Sequence, residues 1–227
     1  MNDTRQAEPL RSSPTTTDSR RSVALVVGIS ATALFVVLRI VVALGGHEPL
    51  PVDIAWHDLM IATLSEVGII IAWIPAIVGG TIGMVVVGLI IIGLFVWRRR
   101  RSDAVVLTIA MIAVVAIGAP MAAVIARVRP ADSLAESVPT SFPSGHTAVA
   151  TTVAVILGIL LRRWYVWVIG AVWVVVMMWS RTYLQAHWLS DVVAGFVEGI
   201  AVATLVWCTI EALRYRRAAR ASVASTG

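Results

Sequence analysis

Apolar residues along this chain gather into runs of membrane length, separated by short polar intervals. A bilayer crossing needs about 20 predominantly apolar residues, and six runs approach or exceed that. The first is 22–44; it is too long for a cleaved signal and no small-x-small site closes it, which predicts a retained helix. The second lies within 67–97, where Pro75, with Gly79 and Gly80 close behind, predicts a crossing from about residue 76 to 97. The third is 104–126. The fourth, 147–161, is short unless it takes in Ser144 and Gly145. The fifth is 164–179, with Trp164, Tyr165 and Trp167 as an aromatic belt, and the sixth is 189–213. Between 53 and 66, Ile54, Leu59, Ile61 and Leu64 are interleaved with His57, Asp58 and Glu66, which predicts an amphipathic helix in the interface, capped by Asp53. Residues 1–21 predict a disordered tail, and 214–227 a basic one. The expected fold is all-α and integral to the membrane: a six-transmembrane-helix bundle over 22–213 with an extracytoplasmic interfacial helix.

Composition agrees and charge adds an orientation. The chain is 59% hydrophobic with a mean hydropathy of +0.89, outside the range of soluble globular domains. Its basic residues are all Arg, 18 of them. They stand in short runs beside apolar segments, a pattern of membrane topology rather than of nucleic-acid binding, so no nucleic-acid partner is expected. Cys208 is alone, which excludes an internal disulfide, and no Cys/His metal spacing occurs. Six crossings put both termini on one side. That side then carries Arg5, Arg11, Arg20 and Arg21, the run 98–101, Arg162 and Arg163, and Arg214, Arg216, Arg217 and Arg220, which the positive-inside rule makes cytoplasmic. The opposite side keeps Arg127, Arg129 and Arg181, while Arg39 falls within the first crossing. Orientation does not account for these, and chemistry has to.

The three lie in two polar knots, 127–146 and 180–191. Guanidinium groups match phosphate oxygens in bidentate geometry and stay charged. Ser144, Gly145 and His146 fall where the fourth helix begins, so free backbone N–H groups and the helix dipole favour an anion there, with Pro143 setting the turn. His187 and Asp191 are four apart, on one helical face, so the carboxylate can hold the second nitrogen of the imidazole. That is the logic of a nucleophile and its orienter. His146 comes from a different segment and suits a proton donor for the leaving oxygen. Glu198, seven residues beyond Asp191 and deeper in the sixth run, is a further candidate as an intramembrane acid.

Pro143-Ser144-Gly145-His146 and Ser180-Arg181-x5-His187-x3-Asp191 resemble the second and third signature motifs of the type 2 phosphatidic acid phosphatase superfamily, which also includes bacterial undecaprenyl-diphosphate phosphatases and soluble vanadium haloperoxidases. The resemblance implies His187 as the nucleophile forming a phosphohistidine, Asp191 as its partner and His146 as the general acid. It implies that Arg129, Ser144, Gly145 and Arg181 hold phosphate oxygens, with no metal and no cofactor. The first motif departs from the pattern. Arg129-Pro130 is intact, but the lysine seven residues before that arginine is Ala122 here. Arg127, acting from a broken helix end, and Arg39 are the candidates to replace its charge. The expected activity is metal-independent removal of phosphate from a lipid phosphate or diphosphate at the extracytoplasmic face of the plasma membrane. The alternatives are a phosphotransferase using the same intermediate and a non-catalytic lipid-phosphate binding or transport protein.

Overall fold

The structure, a computed structural model, describes residues 16–224. They form α1 (Thr16–Leu44), α2 (Pro51–Ala62), α3 (Glu66–Val78), α4 (Thr81–Trp97), α5 (Arg101–Ile125), α6 (Gly145–Leu161), α7 (Trp164–Tyr183) and α8 (Leu189–Ala224). The protein is therefore all-helical among the described residues, apart from one isolated bridge between Val128 and Thr140. Four helices are long and apolar enough to cross a membrane: α1 from residue 19, α5, α7 and α8. The α3–α4 pair meets the same test together, bent by 52°, and α6 is a shorter apolar helix of 17 residues.

Several boundaries differ from the expectation, each for a local reason. The chain is already helical at Thr16, while residues 1–15, the rest of the expected disordered tail, lie outside the described residues. Pro51, lacking an N–H, opens α2 at its first position, with Leu50 as the cap. Asp53 thus stands inside the first turn, where its carboxylate accepts from the Leu50 N–H at 2.9 Å. Pro75 lies inside α3 rather than ending it, and the break falls at Gly79 and Gly80. A proline in an apolar helix removes one hydrogen bond, whereas two successive glycines remove the side-chain restraint on the backbone. The expected basic tail continues α8 to Ala224, since its Ala and Arg residues are strong helix formers.

Helix α8 is the axis of the bundle. It packs against α1 and α6 most extensively and also touches α2, α5 and α7. Its crossing with α6 is made close by two glycines. A Cβ on Gly195 would stand 2.4 Å from the Ser144 carbonyl oxygen, and one on Gly199 would stand 2.6 Å from the Ala148 carbonyl oxygen. Small residues are what allow membrane helices to approach this closely. The contact matters because it fixes where α6 begins relative to Asp191, whose carbonyl accepts from the Ser144 N–H at 3.0 Å.

Contacts define the two ends of the bundle. At one end Cys208 reaches the Arg21 carbonyl, Arg100 the Leu160 carbonyl and Arg214 the Ser102 carbonyl. At the other, Tyr183 donates to the Thr63 carbonyl at 2.7 Å, and the polar loop between α5 and α6 meets the α7–α8 turn through Leu134 N–H and Leu184 carbonyl at 2.9 Å. The two polar knots are thus at one end.

Gly195→Ala should lower stability by about 1–3 kcal/mol through overpacking, read as a fall in the thermal midpoint in detergent of about 2–4 °C per kcal/mol. Gly93→Ala, where an added Cβ meets nothing within 4 Å, is the control. Equal midpoints for the two variants would contradict the close-crossing account.

Candidate active site

The loop between α5 and α6 is ordered by its own backbone. Ala126 closes α5 in the left-handed region, φ 48°, and turns the chain back across the bundle end. The Arg129 N–H donates to the Pro139 carbonyl at 3.0 Å and the Ser141 N–H to the Arg127 carbonyl at 2.9 Å, so the two limbs of the loop pair. This ribbon aims Arg129 inward, where its guanidinium donates to the carbonyls of Val138 at 2.8 Å, Thr140 at 2.6 Å and Ala186. Three backbone acceptors fix the fork before any ligand arrives.

Arg129 and Arg181, from different halves of the chain, share one carboxylate. Glu136 pairs with Arg129 at 3.0 Å and with the Arg181 guanidinium, and lies 3.5 Å from His146 Nδ1. Sequence pattern does not single out Glu136; its only signal is an acid inside the polar interval between two arginines. Burial alone would push its carboxyl up, but His187, Arg181, Arg129 and His146 around it prevail and hold it below the usual carboxylate range. Burial lowers Arg129 from the usual guanidinium value, with Glu136 and Asp191 opposing.

His187 stands beside this cluster. Its Nε2 lies 3.4 Å from Arg129 Nη1 and its Nδ1 lies 2.8 Å from the Ser141 carbonyl oxygen. Both contacts require the tautomer with the proton on Nδ1, which leaves the Nε2 lone pair directed at the clamp. Asp191, expected to hold the second imidazole nitrogen, pairs with Nδ1 only at longer range. Asp191 Oδ2 is 3.8 Å away, too far for a hydrogen bond, because its carboxylate is engaged by the Trp188 N–H at 3.0 Å and by Arg127 at 2.5 Å. Burial pushes the His187 imidazole below its usual range, and Asp191 opposes this without overcoming it.

Two other expected residues face elsewhere. Arg127 is fully buried, with Asp191 on Nη1 and Asp53 on Nη2 at 2.7 Å, so both ends of its fork are turned away from the clamp. Ser144 is the first flanking residue of α6, but it is fully buried against α8 and its hydroxyl accepts from Thr147 Oγ1 at 3.1 Å instead of capping the helix. Gly145, by contrast, is open: an added Cβ there meets nothing within 4 Å. The first N–H groups of α6, which have no intrahelical partner, thus border free space.

That space is a cavity of about 360 Å³. Its polar end gathers Arg129, Glu136, Gly145, His146 and His187, and its apolar end runs between α4 and α5 along Met84, Val85, Met111, Val114 and Val115. Ala122, where a lysine was expected, lines it; Arg127 and Arg39 do not. Neither of these two arginines therefore stands at the lysine's place in the cavity. Glu198 lies deeper, in a separate hollow of about 230 Å³ beside Thr32 and Ile117, and is not joined to the cluster.

Known proteins resemble this chain in sequence and in fold. The family model of the PAP2 superfamily matches residues 104–215, which include both polar knots. An undecaprenyl-diphosphatase of Sulfolobus acidocaldarius is 29% identical over 185 residues, covering 73% of this chain and 82% of that protein. Among solved structures, a transmembrane PAP2-type phosphatidylglycerolphosphate phosphatase from Bacillus subtilis superposes with a TM-score of 0.70 at 23% identity, over 81% of this chain and 96% of that one. Aquifex aeolicus LpxE gives 0.62 at 20% identity, over 70% and 96%. With the motifs, the helical bundle and the clustered histidines and arginines in one place, the chain matches the PAP2 superfamily over residues 104–215 and is a multi-pass membrane phosphatase of the type 2 phosphatidic acid phosphatase kind.

Proposed function

We propose that this protein hydrolyses a lipid phosphate, with a polyprenyl diphosphate such as undecaprenyl diphosphate as the favoured substrate and phosphatidate or phosphatidylglycerol phosphate as the other members of the class. The observation that carries this reading is the cavity. Arg129 and the two imidazoles of His146 and His187 line one end, with Arg181 just behind on Glu136, and an apolar trough between α4 and α5 forms the other. An amphiphile with a phosphorylated head fits both. The undecaprenyl-diphosphatase named above supports the substrate preference.

The chemistry follows from the groups at the polar end. Arg129 and Arg181 hold the phosphoryl oxygens with the N–H groups at the start of α6, which suits a reaction catalysed mainly by positioning and charge. His187 Nε2 attacks phosphorus, the bond from phosphorus to the leaving oxygen breaks, and His146 gives that oxygen a proton. Water then attacks the phosphohistidine, His146 takes its proton, and inorganic phosphate leaves. Asp191 supports the imidazole from behind. The substrate must displace Glu136, which holds the same two arginines and competes with the phosphoryl group as an anion.

The same reading places the site at the extracytoplasmic face. On this reading the short α6 also crosses and α3 with α4 makes one bent crossing, which gives six passages and puts the start of α1 and the end of α8 with the Arg runs at 98–101 and 162–163. That end is cytoplasmic by the positive-inside rule, and the clamp lies at the other.

Two outcomes test this. Purified protein in detergent should release inorganic phosphate from undecaprenyl diphosphate, phosphatidate or phosphatidylglycerol phosphate with EDTA present. Release that needs an added divalent metal would contradict the mechanism. Glu136→Gln removes the internal anion, so orthovanadate and inorganic phosphate should inhibit this variant about three- to tenfold more tightly than the wild type. Weaker inhibition would mean that Glu136 helps to bind phosphate instead of occupying its place.

A further inference from the structure

The interfacial helix α2 contributes a charge to the interior that the reaction described above does not use. Asp53 is fully buried. Its Oδ1 accepts from the Ser190 N–H at 2.7 Å, and its Oδ2 accepts from Ser190 Oγ at 2.8 Å, Arg127 Nη2 at 2.7 Å and the Leu50 N–H at 2.9 Å. Arg127 then donates from Nη1 to Asp191 Oδ1 at 2.5 Å and to Ser190 Oγ at 2.7 Å, and from Nη2 to the Glu48 carbonyl at 3.1 Å. Asp191 is the last link before His187. Three ionised groups, all fully buried, thus form a line from α2 through the α5–α6 loop to the start of α8.

We propose that Asp53 and Arg127 are positioning residues for the phosphatase reaction, a buried relay that sets how strongly Asp191 acts on the His187 imidazole. This rests on the role of His187 proposed above. The relay works by dividing the charge of one guanidinium. Arg127 draws the Asp191 carboxylate toward itself, and His187 Nδ1 is left at 3.8 Å with its proton on the Ser141 carbonyl. Asp53 in turn draws part of the Arg127 charge away from Asp191. Each member therefore has a sign at His187. Without Arg127, Asp191 would act on the ring uncompensated and raise its proton affinity. Without the Asp53 charge, Arg127 would neutralise Asp191 more completely and lower it. The other charged or titratable groups facing the ring are Arg129 and Glu136 from the loop, Arg181 from α7 and His146 from α6, and none is altered by these changes. A pin that only held α2 in place would give neither sign.

The test reads His187 directly. Protein labelled with ¹⁵N-histidine is titrated by NMR in detergent, with His187 assigned from its loss in His187→Ala. Asp53→Asn should move the His187 titration to lower pH and Arg127→Gln to higher pH, each by about half a unit or more. In the double variant the Asp53 change should add little, because Arg127 is no longer there to transmit it. Phosphate release at the optimum pH should fall about ten- to hundredfold in both single variants, and Arg127→Lys should restore the titration toward the wild-type position. If Arg127→Gln fails to fold, Asp53→Asn decides alone. An unmoved or upward titration in Asp53→Asn would overturn the relay. The predicted shifts in a protein that releases no phosphate from any lipid phosphate would uphold the relay and contradict the proposed function instead.

Discussion

A guanidinium cannot be left unpaired at the mouth of an apolar bundle, and the arrangement of the site follows from that constraint. Each of the three arginines that membrane orientation does not explain has a carboxylate against it: Asp53 and Asp191 on Arg127, and Glu136 on both Arg129 and Arg181. Removing one partner of such a pair costs about 3–5 kcal/mol because the other charge remains buried. The two sets of pairs differ in one respect. Arg127 is closed off on both ends of its fork, so its charge acts only on its own carboxylate partners and not on a ligand. Arg129 and Arg181 share a carboxylate that is itself partly open to the cavity, so their charge is available to any anion that displaces it.

The rest of the bundle serves to bring two distant segments into register. Gly195 and Gly199 let α8 touch α6, which brings the start of α6 against Asp191. The paired limbs of the α5–α6 loop present Arg129 from one side and the Ser141 carbonyl from the other. Tyr183 and Ser180, bonded to Thr63 and to the Ala72 carbonyl, hold α7 against α3 and with it the base of Arg181. These contacts are all made within the chain, so the fold itself holds the arginines and the cost of ordering them is met in folding.

The chemistry-bearing half of the site was legible in the sequence because fixed spacing on helical segments carries it. Pro143 to His146 opens a helix, His187 and Asp191 are one turn apart, and the arginines break the charge pattern of the membrane. What lay outside sequence reasoning depends on contacts between remote residues or on a change of backbone direction. Asp53 is 74 residues from Arg127, and nothing in a short amphipathic pattern announces a buried acid. Arg127 was weighed as a substitute for a lysine at position 122, but the left-handed Ala126 ends the helix between them and sends the two side chains to different places. Glu136 is hidden for the opposite reason: a loop acid reads as solvated until two guanidinium groups are found around it. The helical run past residue 213 is masked by its basic composition, which resembles a tail, although Ala and Arg are strong helix formers.

Two halves of the chain meet at one site, and the proposed chemistry there rests on His187 as the nucleophile. Rapid-quench labelling with a radiolabelled lipid phosphate tests it most directly. The account predicts an acid-labile, base-stable phosphoenzyme in the wild type that is absent from His187→Ala. A phosphoenzyme that persists in His187→Ala, or normal phosphate release by that variant, would contradict it.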